Sequence, residues 1–172
     1  MATYILTVIG DDRSGLVSAL AGVVTAHGAS WERSQLSRLA GKFAGVVLVT
    51  VPEGRLEGLV GELEGLGSQG LRVSVEPTEA PATSTLQRLH LNLLGADRPG
   101  IVAEISASLA AHGVSIEEFA TDVREAPMAG GTLFEARAVL VAPPGASTDA
   151  LRGLLEGLAD ELMVEINVFD EE

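Results

Sequence analysis

The stretches GDDRSGLV at residues 10–17 and GADRPGIV at residues 95–102 carry the most chemical information in this 172-residue chain. In each, a glycine ends a short apolar run, an aspartate and an arginine follow, and a second glycine precedes an apolar run of helical spacing. Such a turn leaves backbone N–H groups free at a helix N-terminus, where hydrogen bonds and the helix dipole stabilise a carboxylate. The chemistry on offer is recognition of an anion, and it uses no catalytic side chain.

The side chains of these stretches also have structural uses. Asp12 and Asp97 suit the capping of the following helix, worth about 1 kcal/mol, a role compatible with shaping a ligand site. Arg13 and Arg98 read as exposed loop charges, although arginine is the side chain best fitted to grip a carboxylate bidentately. Pro99, standing where the first stretch has Ser14, fits a first helical turn. His27 and His112 precede glycines that stop a helix, so capping outweighs a pH switch. Glu117 and Glu118 are neighbours on a predicted strand, hence on opposite faces, which argues against a paired acid and base.

Composition removes other chemistries. With no cysteine there is neither disulfide nor thiol catalysis, and three scattered histidines make no metal set. No nucleophile with a base and no phosphate loop of Walker spacing is present, so neither an enzyme nor a cofactor is expected. The net charge of −13 opposes direct nucleic-acid binding. No apolar run approaches the ~20 residues of a membrane helix, and MATYILTVIG is not a signal peptide; no membrane partner and a cytoplasmic location are expected. Residues 1–80 hold nine Asp or Glu against six Lys or Arg, and residues 81–172 hold fifteen against five. The second half therefore offers an acidic face to a partner, beside the plainer reading of a well-solvated surface.

The two turns belong to a duplication. At an offset of 85, residues 4–33 and 89–118 share eleven identities, including Leu6, Ala26, His27, Gly28, Ser30 and Glu32, against about two by chance. Phe43 and Pro52 answer Phe134 and Pro143 at an offset of 91, so the second copy has six more residues, around REAPMAGG. EPTEAPATST, residues 76–85, has linker composition. Domains over 1–79 and 88–172, joined by 80–87, are expected.

Within each copy, YILTVI and LHLNLL read as strands bounded by glycine. Leu16, Val17, Leu20 and Val24, and in the second copy Ile101, Val102, Ile105 and Leu109, form apolar helical stripes. SWERSQLSRL with FAGVVLVTV, and SIEEFATDV with TLFEARAVLV, are strand pairs joined by glycine-containing turns. Leu56, Leu59, Val60, Leu63 and Leu66 mark a second helix, as do Leu151, Leu154, Leu155, Leu158 and Leu162. Glycines 58, 61 and 65 cost the first of these about 1 kcal/mol each, so packing must hold it. LRVSVE and MVEINVF are closing strands, and Asp170, Glu171 and Glu172 read as a frayed tail. The order βαββαβ, twice, predicts two α+β ferredoxin-like units, each a four-stranded antiparallel sheet with both helices on one face. The strand at 4–9 is apolar on both faces, which predicts a cover from the sister domain or a second chain.

On the turn motif G-x-D-R-x-G-[LI]-V, the first helix, HGAS and HGVS, and the βαβ remainder, nearly the whole chain resembles a tandem pair of ACT domains, small ligand-sensing modules of amino-acid metabolism. Two such domains and nothing else resemble the glycine cleavage system transcriptional repressor group. The resemblance implies an effector between the βα turn and the start of the second strand, often across an interface between two ACT units. It implicates Gly10, Asp12, Arg13, Ser14, Gly15, Leu16 and Val17 with Ser30 and Trp31. In the second copy it implicates Gly95, Asp97, Arg98, Pro99, Gly100, Ile101 and Val102 with Ser115 and Ile116. Many amino-acid-binding ACT domains have Asn where Ser30 and Ser115 stand, so a hydroxyl replaces an amide in both copies. The resemblance further implies a sensor of a small amino acid, glycine or serine first, that forms a homodimer or larger assembly. Its partner would be a transcription factor, since this acidic chain has no helix-turn-helix of its own. The alternatives are a detached regulatory subunit of a metabolic enzyme and a scaffold without ligand. The more acidic second copy, with Glu117, Glu118 and Asp122, is expected to face the partner.

Overall fold

The computed structural model describes residues 1–79, 86–128 and 130–170, apart from the side chain of residue 170. Residues 80–85 of the expected linker, and 171 and 172 of the expected tail, lie outside the described residues. The chain divides into two compact units, Met1–Ala82 and Thr83–Glu172.

The first unit runs β1 (Ala2–Asp11), α1 (Leu16–Ala26), β2 (Ser30–Leu39), β3 (Lys42–Val51), α2 (Leu56–Gly65) and β4 (Leu71–Pro77). The second repeats the order as β5 (Arg88–Ala96), α3 (Ile101–Ala111), β6 (Ser115–Glu125), β7 (Thr132–Val141), α4 (Thr148–Leu162) and β8 (Glu165–Asp170). Both sheets are antiparallel, ordered β2-β3-β1-β4 and β6-β7-β5-β8. The α+β ferredoxin-like arrangement read from the sequence is present twice. Among the described residues no helix is long and apolar enough to cross a membrane.

Strand alternation and helical spacing converge on one core per unit. Leu6 and Val8 of β1 and Val47, Val49 and Val51 of β3 are buried with Leu16, Leu20, Val23 and Val24 of α1 and Leu59 and Leu63 of α2. In the second unit Leu89, Leu91 and Leu93 are buried with Ile101, Ile105 and Leu109 and with Leu151, Leu155 and Leu158. Each such side chain contributes about 1.5–3 kcal/mol of hydrophobic stabilisation.

Three local expectations need correction. Val17 and Val102 are 45% and 41% exposed; Val23, three residues after Leu20, completes the stripe of α1 instead. α2 ends at Gly65, and Leu66 opens a 3-10 turn, Leu66–Gln69, stopped by Gly70 at φ 85°. Gly58 within α2 has a packing reason, because a Cβ there would stand 3.2 Å from His27 Nε2. Finally, β2 and β6 carry bulges between Trp31 and Arg33 and between Ile116 and Glu118. The extra residue breaks the alternation, so Glu117 joins Glu118 on the face away from the helices, where Arg88 Nε donates to its Oε2 at 2.6 Å.

The histidines do cap their helices. Nδ1 of His27 is 3.0 Å from Val23 O and Nδ1 of His112 is 2.9 Å from Ser108 O. Gly28 and Gly113 follow at φ 66° and 71°.

Candidate functional site: the two βα turns

Gly15 at φ 88° and Gly100 at φ 84° hold the N-cap positions of α1 and α3 in the left-handed region, where a Cβ is strained although nothing crowds it. Neither helix has a side-chain cap. By contrast, Ser147 Oγ caps α4 by accepting the Ala150 N–H at 3.1 Å. The first-turn N–H groups of α1 and α3 thus have no capping side chain and carry the positive end of the dipole. α2 also lacks a side-chain cap but is preceded by Arg55 in the right-handed region, so the left-handed glycine is what sets the two turns apart.

The aspartates do not cap the helices. The Asp12 N–H donates to Gly41 O and the Asp97 N–H to Thr132 O, both at 2.9 Å. Each bond ties the turn to the start of the neighbouring strand or the turn before it. The side chains reinforce the tie: Arg38 Nη1 donates to Asp12 Oδ2 at 3.1 Å, and Thr132 Oγ1 to Asp97 Oδ2 at 3.4 Å. Because the glycine three residues on takes the cap position, each aspartate fastens the turn to the adjoining hairpin. Asp11 pairs with Lys42, whose hydrogen bond first and charge second hold its carboxyl below the ordinary range.

The arginines are engaged as well. Arg13 Nη2 donates to Gln69 O at 2.6 Å. Arg98 grips Glu104 with two bonds of 2.7 Å each, which hold the Glu104 carboxyl below its ordinary range and raise the guanidinium. The bidentate geometry expected for a ligand is spent on the helix's own carboxylate in the second unit, so an incoming carboxylate would have to compete for it.

Gly10 and Gly95 answer to packing. A Cβ on Gly10 would stand 2.5 Å from Gly70 O, and one on Gly95 2.6 Å from Val164 Cγ1. Leu16 and Ile101 are buried, leaving their backbone to face a ligand, while Ser14 and Pro99 are exposed. Sequence reasoning missed Arg38, Gln69, Thr132 and Glu104 as fasteners of the turns. Only Glu104, six residues after Arg98, was within local reach.

The turn and the start of the second strand are not brought together within a unit. Trp31 pairs with Val49 and Val49 with Tyr4, six residues before Gly10, a separation of ~20 Å along the strand. Ile116, through Leu140 and Leu89, lies equally far from Gly95. The 11-residue α1 imposes this by carrying the chain ~16 Å back from the turn, a consequence already present in the helix length. Ser30 and Ser115 share that far end. Val17 and Trp31 do line one shallow groove of about 170 Å³ with Ala21, Val24, Thr25 and Ala29.

Two ferredoxin-like units whose first helices open on a left-handed glycine make a tandem protein built from one repeated α+β domain. The model of the ACT domain matches residues 2–76 and 87–168, and the chain belongs to that family. Among solved structures, an unknown protein from Galdieria sulphuraria is 26% identical with a TM-score of 0.84, covering 99% of each chain. A protein provisionally named a glycine cleavage system transcriptional repressor is 16% identical with a TM-score of 0.75, covering 99% of this chain and 98% of its own. That likeness is one of fold. Comparison with the curated proteins finds no match.

Proposed function

We propose that this tandem ACT protein is a non-catalytic regulator, resembling a glycine cleavage system repressor, that senses a small amino acid and acts through a protein partner. Its domains are 1–79 and 88–172, joined by 80–87. The observation that carries the reading is the twice-built turn: a left-handed glycine before a helix without a side-chain cap, fastened to the adjoining hairpin so that its N–H groups are held in place. The amino-acid carboxylate would accept from the N–H groups of Leu16 and Val17, or of Val102 and Ile101, the latter giving up its 3.4 Å bond to Arg98 O, with Arg13 or Arg98 turning toward it. Since ~20 Å separate the turn from the second strand's start within a unit, Ser30 and Trp31, or Ser115 and Ile116, would join the site only from a facing unit. In this reading the facing unit belongs to a second chain, and the assembly works in the cytoplasm. It would also cover Ile9 and Val46, which stand 39% and 38% exposed on the open face of the first sheet.

Glycine and serine are the first candidates, since Ser30 or Ser115 would offer only a small hydroxyl from the facing unit. The partner is a transcription factor in this reading, and a metabolic enzyme is the alternative. Ligand would act by favouring one packing of the paired domains, with a coupling of about 1–3 kcal/mol. Amide chemical shifts of the ¹⁵N-labelled chain during titration with each amino acid test the location. Shifts should centre on residues 15–18 or 100–103; shifts confined to other segments would refute the assignment.

A further inference from the structure

The face of the second sheet turned away from α3 and α4 holds an open cavity of about 430 Å³. Strand register sets its lining. Arg137 stands beside Asn92, and Asn92 beside Asn167; in the next row Asp122 stands beside Glu135, and Leu94 beside Glu165. Duplication does not account for the set. The matching positions of the first sheet are Val46 for Arg137, Thr7 for Asn92, Ser74 for Asn167 and Ile9 for Leu94. The copies kept their core faces alike and diverged here.

The charges are incompletely spent. Arg137 makes no hydrogen bond or ion pair with another described residue. Glu135 is taken by Arg124 at 2.6 Å. Asp122 Oδ1 accepts only its neighbour's N–H, that of Val123 at 2.9 Å, and Glu165 Oε1 meets Asn167 Nδ2 at 3.5 Å. One guanidinium and two carboxylates thus face the cavity without a neutralising partner among the described residues. A guanidinium fork is suited to a carboxylate, while the surrounding carboxylates repel phosphates and dicarboxylates. A ligand with one carboxylate and two cationic groups satisfies all three.

Strand spacing puts the Asp122 backbone ~8 Å and the Glu165 backbone ~12 Å from that of Arg137, and the side chains narrow these gaps to the length of a lysine or arginine. We infer that this open face is a second binding site, separate from the βα turns, for a basic amino acid. Its α-carboxylate lies on Arg137 beside the amide of Asn92, its α-ammonium on Asp122, and its side chain crosses Leu94 to place the terminal cation on Glu165.

Isothermal titration of the full chain with L-lysine and L-arginine tests this, with norleucine lacking the second cation and cadaverine lacking the carboxylate. Lysine or arginine should bind. Arg137→Ala and Glu165→Gln should each weaken binding at least tenfold without changing the melting temperature, since both side chains are exposed, and norleucine and cadaverine should bind at least tenfold more weakly. The proposal is overturned if neither basic amino acid binds, if either variant leaves the affinity unchanged, or if Gly100→Val rather than Arg137→Ala abolishes binding.

Discussion

Gly10→Ala and Gly95→Ala alter equivalent residues of the two copies, yet they should differ in cost. The Gly10 Cβ would meet backbone, Gly70 O at 2.5 Å and Leu71 Cα at 3.3 Å. The Gly95 Cβ would meet the Val164 side chain, Cγ1 at 2.6 Å and Cβ at 3.3 Å, with the backbone Cα at 3.7 Å. A backbone obstacle can yield only by moving the joint between the 3-10 turn and β4. A valine methyl can yield by rotation about χ1. Overpacking costs about 1–3 kcal/mol, offset by roughly 0.5–1 kcal/mol for replacing glycine within a strand. Gly10→Ala should therefore lose about 2 kcal/mol and Gly95→Ala about 1 kcal/mol or less. Trp31, the one tryptophan, lies in the first unit, so urea unfolding followed by its fluorescence reports Gly10→Ala, and far-UV circular dichroism reports Gly95→Ala. Equal losses, or a loss under 1 kcal/mol for Gly10→Ala, would refute the reasoning.

Ala40 sits at φ 48° beside Gly41 in the hairpin turn, so Ala40→Gly should relieve strain and stabilise the first unit by up to about 1 kcal/mol in urea unfolding. Ser147→Ala removes the cap of α4 and should destabilise the second unit by about 1 kcal/mol, read by the same method. Glu104 has a folded pKa depressed by hydrogen bonds from Arg98. Its contribution to stability is present above the ordinary value of 4.5 and is lost as pH falls through the depressed value. In Arg98→Ala the Glu104 carboxyl carbon, followed by NMR, should titrate at higher pH than in the parent.

The elements were legible because their signals are local. Leu89, Leu91 and Leu93 alternate within five residues, and Leu16 and Leu20 recur within one helical turn, so periodicity alone placed β5 and α1. The partners of the turns were not, because Asp12 meets Gly41 and Arg13 meets Gln69 through the folded chain. Asp12 carries the sequence signature of a helix cap, yet the left-handed Gly15 occupies that position. The bulge at Glu117 escaped for a related reason: it depends on the register of β6 against β7, which no local pattern records. Asn92, Arg137 and Asn167 come from three strands far apart in sequence, and only the strand order sets them in one row.

The proposed binding of an amino acid through the backbone of the turn is tested most directly by thermal melting of the pure protein against each common amino acid at millimolar concentration. A ligand that binds only the folded state raises stability by RT ln(1 + [L]/Kd), about 2.7 kcal/mol at one hundred times Kd. A small amino acid, glycine or serine first, should give a rise that Gly100→Val or its counterpart Gly15→Val abolishes while each variant still melts cooperatively. No rise with glycine, serine or another small amino acid, or a rise with one of these that both variants retain, would contradict it.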